Sequence, residues 1–158
     1  MSIQRVREYF RPLGREQDIK EFPVSSATVE LAARAVGVIP ARIAKTRSFL
    51  VEDRCILIVA AGDAKVDNSK YKALFHTKAK MLSPEQVSEL TGHAIGGVCP
   101  FANPEDVKTY LDLSLRRFDT VFPAAGSSNS AIELTCEELE QFSHSAGWID
   151  VCKGWQEA

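Results

Sequence analysis

Ala44-Lys45-Thr46-Arg47-Ser48-Phe49-Leu50-Val51 and Cys55-Ile56-Leu57-Ile58-Val59-Ala60-Ala61 decide how this chain is read. In the first, apolar and polar residues alternate with no glycine or proline to break them, which predicts a strand over residues 43–52. The second is apolar on both faces and predicts a central strand over 55–62, joined to the first by Asp53-Arg54. Lys45 stands at the entrance of the first strand among Ile43, Ala44 and Phe49. That setting places a cation where the chain is partly buried.

Upstream, Ile3, Val6, Phe10 and Leu13 recur at helical spacing, predicting a helix over 2–13 that Gly14 ends. Asp18-Ile19-Lys20-Glu21-Phe22 alternates and predicts a short strand. Ser26 is the expected N-cap of a helix carrying Val29, Leu31, Ala32, Ala35 and Val36, with Gly37 past its end. Downstream, residues 68–75 predict a short helix and 79–82 a brief strand. Ser83-Pro84-Glu85-Gln86 is a helix start with proline at the first position. Strands are expected at 107–115, 120–122, 131–134 and 148–151. Thr135-Cys136-Glu137-Glu138 has the capping-box pattern of a last helix. Strands and helices do not alternate regularly, so the expected class is α+β: a mixed sheet of six or more strands flanked by helices.

The chain has 158 residues, one domain by the usual length prior, with 45% hydrophobic and 25% charged residues. Nineteen basic and 21 acidic residues leave a formal charge of −2, which argues against DNA or any long duplex as a partner. A local grip on one end of a nucleic acid stays open. No Cys-x-x-Cys pair or ligand-spaced histidine accompanies Cys55, Cys99, Cys136 and Cys152, so no metal is expected. Ser2-Ile3-Gln4-Arg5-Val6-Arg7 lacks the apolar segment of a signal peptide, and no apolar run approaches the roughly 20 residues of a membrane span, so neither is expected. A reducing cytoplasm with free thiols is the expected setting.

Three stretches can carry chemistry. Lys45 reads either as a strand-edge lysine with its head in water, as an anchor for a phosphate or carbonyl, or as a base of lowered pKa. Gly96-Gly97-Val98-Cys99-Pro100 is either a turn or a bare-backbone loop whose amides face a carbonyl. Gly126-Ser127-Ser128-Asn129-Ser130 is either a turn or a set of hydroxyls and amides around an amino group or ribose. Cys99 is a candidate nucleophile with His93 six positions upstream, although catalytic cysteines need a partner that stabilises the thiolate. His76 and His144 read as structural or exposed.

Lys45-Thr46 at the head of a strand, then Gly96-Gly97-Val98-Cys99-Pro100, then Gly126-Ser127 before Ile132-Glu133-Leu134, resemble the YbaK/EbsC family of aminoacyl-tRNA deacylases. That family is similar to the editing domain inserted in bacterial prolyl-tRNA synthetases. The resemblance runs from about residue 18 to the end of the chain. It implies a barrel-like mixed sheet and cleavage, without cofactor, of the ester between a small amino acid and the acceptor end of a mischarged tRNA, the proline tRNA by analogy. Lys45 matches the lysine that holds the terminal adenosine and phosphate. Gly96, Gly97 and Pro100 match the carbonyl-facing loop. Thr46, Val98, Cys99, Gly126, Ser127, Ser128 and Asn129 then line the substrate site. An aminoacyl-tRNA synthetase is a possible delivering partner. The alanine-clearing branch has a histidine where this chain has Ala125-Gly126, and the cysteine-clearing branch an aspartate where it has Ala131, so the amino acid stays open. The alternative on the same fold is a binding module for a tRNA 3′ end or nucleotide, without turnover.

Overall fold

The computed structural model describes residues 2–93 and 97–155. Helix α1 (Ser2–Phe10) buries Val6 and Phe10 completely. Phe10 meets Phe101 edge-on at 4.9 Å and Phe142 at 5.6 Å. An aromatic ring so buried contributes roughly 1.5–3 kcal/mol, enough to dock a short helix that is marginal alone. The expected helix over 2–13 tightens after Phe10 into a 3-10 turn, Arg11–Leu13, because Pro12 removes a donor. Gly14 closes it in the left-handed region at φ 74°.

Strand β1 (Lys20–Glu21) is shorter than the expected 18–22. Helix α2 (Val29–Val36) is capped by Thr28, whose hydroxyl accepts the Leu31 amide at 3.2 Å. Ser26 is not the cap, because its amide is drawn instead to the Ser128 carbonyl at 2.6 Å.

Strands β2 (Ile43–Val51) and β3 (Arg54–Ala61) form the expected hairpin, in register from Ala44 opposite Ala61 to Val51 opposite Arg54. The turn is Glu52-Asp53 rather than Asp53-Arg54. Both residues have positive φ, 50° and 65°, the twist that fits a two-residue hairpin loop. β3 is buried from Cys55 to Ala61, as a central strand should be. Strand β4 (Lys65–Val66) is followed by α3 (Asn68–Phe75), capped by the Asp67 carboxylate, and then by α4 (Pro84–Thr91) with a full Ser83–Gln86 capping box. The expected strand at 79–82 is reduced to one bridge, Met81 opposite Phe49.

Strand β5 (Lys108–Asp112) stops short of residue 115, because the Asp112 carboxylate takes the Ser114 amide and starts a 3-10 turn. β6 (Thr120–Pro123) follows. The strand expected at 131–134 divides into β7 (Ser130–Ala131), paired with β1, and β8 (Leu134–Thr135), paired with β6. Helix α5 (Cys136–Phe142) opens on the Thr135–Glu138 capping box. The strand expected at 148–151 divides likewise: β9 (Gly147–Ile149) runs beside β5 and β10 (Cys152–Lys153) beside β4. The main sheet has the order β8-β6-β2-β3-β5-β9, with parallel and antiparallel neighbours, and curls into a half-barrel. The class is α+β. Among the described residues no helix is long and apolar enough to cross a membrane.

Candidate active site

The site grows from a gap in the edge of β2. Its pairing with β6 ends at Ala44 opposite Pro123. On the same edge the 80–82 segment takes up the Ser48 carbonyl and the Leu50 amide. Backbone groups of alternate residues point to the same edge, so Thr46, between Ala44 and Ser48, faces an interval that no strand fills. The residue is only 7% exposed, and its hydroxyl is buried with no hydrogen-bond partner. A buried unsatisfied hydroxyl costs about 1–3 kcal/mol.

A cavity of about 200 Å³ lies at this gap. Ala27, Thr28 and Val29 close one side, Met81, Val87 and Val98 another, and Phe122, Ala124, Ser130 and Ala131 a third; Lys45, Thr46, Arg47 and Ser48 come from β2. The described lining contains no carboxylate, imidazole or thiol. The Lys45 ammonium donates to the Ala27 carbonyl at 3.3 Å. Burial, reinforced by the neighbouring Arg47 charge, holds its pKa below the usual 10.5.

The two loops picked out from the sequence meet. Gly97 is buried, and a Cβ placed on it would stand 2.8 Å from the Gly126 carbonyl oxygen and 3.2 Å from the Ser127 Cα. No side chain fits there without moving backbone. Val98 reaches the cavity; Gly96 lies outside the described residues. Pro100 lines a different cavity, of about 540 Å³, beside Tyr9 and Asn103.

Cys99 is completely buried behind the loop, its sulfur 3.7 Å from His93 Nε2 and 3.7 Å from the Phe101 carbonyl. Burial pushes the thiol up to about 12. It also pushes His93 down to about 4, against the Phe101 carbonyl and with help from the Arg5 charge. Both groups are therefore neutral at pH 7, the reverse of an activated thiolate–imidazolium pair.

Ser127, Ser128 and Asn129 are not in the cavity lining. The Asn129 side chain donates to the Phe22 carbonyl at 3.0 Å, and the Asn129 carbonyl accepts the Phe22 amide at 2.8 Å. With the Ser128 carbonyl on the Ser26 amide, they hold the 22–26 segment that leads into Ala27. The Ser127 hydroxyl lies 2.7 Å from that of Ser130, which does reach the cavity. Sequence reasoning missed Ala27 and Arg47, and named Ser130 as the last residue of the 126–130 stretch. Arg47 was legible, two residues beyond Lys45; Ala27 contributes a carbonyl, which no sequence pattern marks. Among the described residues no three His, Cys, Asp or Glu side chains are grouped to hold a metal ion.

Residues 24–142 match the family described as aminoacyl-tRNA editing domain. The chain belongs to that family. This editing domain is 60% identical over 157 residues to YwhH, an uncharacterised protein of Bacillus subtilis (strain 168), covering 99% of the chain and 100% of YwhH. It is 23% identical over 143 residues to the proline–tRNA ligase of Bacillus licheniformis, covering 87% of the chain but 25% of the ligase. Its fold superposes, with a TM-score of 0.86 and 30% identity, on the crystal structure of a proposed trans-editing enzyme for prolyl tRNA synthetase, covering 97% of this chain and 98% of that one.

Proposed function

We propose that this editing domain acts in trans as a deacylase, clearing a small amino acid from a mischarged tRNA, the proline tRNA foremost. One observation carries the reading: a small cavity with apolar walls, set at an open strand edge beside a half-buried lysine. At about 200 Å³ it holds roughly six or seven water volumes, room for a small aminoacyl group. Family membership and the fold of the trans-editing neighbour support the same substrate class.

In this reading Lys45 anchors the terminal nucleotide through its phosphate or ribose. Thr46, with its free hydroxyl, binds the aminoacyl group. The loop at Gly97 and Val98 offers backbone amides to the ester carbonyl, and the close approach of Gly97 to Gly126 and Ser127 fixes its position. Water, or the substrate's own side chain, adds to the carbonyl carbon; the acyl–oxygen bond breaks and the ribose hydroxyl regains its proton. The described lining offers no carboxylate or imidazole as a general base, and with Lys45 held as the cationic anchor the rate comes from positioning and from stabilising the developing oxyanion. A net charge of −2 favours delivery of the tRNA by a synthetase over strong independent binding.

The lack of a carboxylate, imidazole or thiol in the described lining also favours a second reading, a module that binds the tRNA end without turnover. Lys45→Ala separates the parts. Loss of deacylation with an unchanged melting temperature supports Lys45 as the anchor; a wild-type rate in that variant removes it.

A further inference from the structure

Arg47 stands two residues beyond Lys45 on β2, so both side chains leave the same face of the strand, opposite Ile58 and Ala60 of β3. Both line the cavity at the open edge. The half-buried arginines among the described residues are Arg5, Arg7, Arg15, Arg42 and Arg47. Arg5 donates to the Thr91 carbonyl at 2.8 Å, Arg7 to Glu21 at 2.8 Å, Arg42 to the Thr120 carbonyl at 3.2 Å, and Arg15 pairs with Asp18 and Glu138. Arg47 alone of the five has no hydrogen bond and no acidic partner. Its nearest charged neighbour on the strand is the Lys45 ammonium, which it repels. Two like charges this close repel one another, and among the described residues neither forms an ion pair.

We propose that Arg47 is a second anion-binding residue of the site, gripping a backbone phosphate of the acceptor strand next to the one held by Lys45. The proposal rests on the reading of the site as one for aminoacyl-tRNA. In such an ester the amino acid's carboxylate is blocked and its α-amino group is cationic, so the anions that reach the cavity mouth are phosphates. Arg47 and Lys45 are about 6.6 Å apart along the strand, and both side chains are long enough to spread onto neighbouring phosphodiesters. The guanidinium fork suits phosphate oxygens in a way a lone ammonium does not. The two cations also explain how a chain of net negative charge holds a nucleic-acid end: the grip is local.

The test compares wild type, Arg47→Met, which keeps the apolar stem, and Arg47→Lys, which keeps the charge. Binding of an uncharged acceptor-stem RNA with a single-stranded 3′ end is followed by fluorescence anisotropy across a potassium chloride series. Deacylation is measured alongside. Arg47→Met is expected to weaken RNA binding several-fold at low salt and to flatten log Kd against log salt by about 0.7–0.9. Arg47→Lys should restore much of the slope, and in deacylation the loss should fall on KM rather than kcat. A merely structural arginine would not change the slope, and a melting curve shows that each variant is folded; Arg47→Gln serves if the methionine variant is not. Wild-type affinity and slope in Arg47→Met overturn the proposal, whatever the deacylation shows. A flattened slope in a protein that cleaves no ester supports the Arg47 contact while counting against the editing reaction.

Discussion

Replacing Gly97 with alanine should cost stability and turnover together. The new Cβ would lie 2.8 Å from the Gly126 carbonyl oxygen, 3.0 Å from its carbon and 3.2 Å from the Ser127 Cα, where ordinary contact begins at 3.4 Å. These neighbours are backbone, so no side-chain rotation relieves them, and the two loops must part by about half an ångström. Overpacking of this kind costs about 1–3 kcal/mol. For a domain of this size each kcal/mol lowers Tm by about 2–4 °C, so a fall of roughly 2–12 °C is expected by calorimetry. A 1 Å misplacement costs about a hundredfold in rate; if the loop faces the ester carbonyl as proposed, half that shift should lower kcat by about tenfold. Gly14→Ala is the control: that glycine has φ 74° with nothing within 4 Å of a Cβ, so the variant should lose about 1–2 kcal/mol to the left-handed backbone and keep its turnover. Wild-type Tm and kcat in Gly97→Ala would refute the contact between the loops.

Three further outcomes follow from buried groups. His93 titrates near 4 in the fold against 6.5 when free, so the unfolded chain binds the extra proton between those values and stability falls as pH drops from 6.5 to 4. The loss is at most about 3 kcal/mol, read from urea midpoints, and His93→Gln should flatten it. Lys45 must carry its proton to hold an anion, and burial lowers its pKa; the alkaline limb of kcat/KM should therefore fall below pH 10.5 and move upward in Arg47→Met, which removes the repelling charge. Thr46→Val removes a buried hydroxyl with no partner, so Tm should hold or rise by the equivalent of about 1 kcal/mol while kcat/KM drops. A drop in Tm without loss of activity would make Thr46 structural.

The hairpin at the centre was legible because alternation at 44–51 and an unbroken apolar run at 55–61 are local signals. Its turn moved by one residue because the loop had to match strand twist, which composition at Glu52-Asp53-Arg54 does not show. Three expected strands are cut short. Residues 79–82, 131–134 and 148–151 are apolar enough for strands, but the first meets the β2 edge at a single bridge and the other two are each shared between sheets. Met81 bridges Phe49 alone, while 130–135 and 147–153 change sheets part-way. The N-cap moved from Ser26 to Thr28 because the Ser128 carbonyl, distant in sequence, claimed the Ser26 amide. Lys45 and Thr46 could be marked as candidates from their strand alone. The gap beside Thr46 could not, because it exists where β6 diverges. The meeting of Gly97 with Gly126 is equally non-local, although the bare glycines hinted at close approach.

Proline tRNA charged separately with alanine, cysteine, serine and threonine, incubated with wild type and Lys45→Ala, measures the proposed reaction directly. Hydrolysis of at least one ester by wild type, lost in the variant, is the expected result. Failure to hydrolyse any of them while the tRNA end still binds would contradict the deacylase reading and leave a binding module in its place.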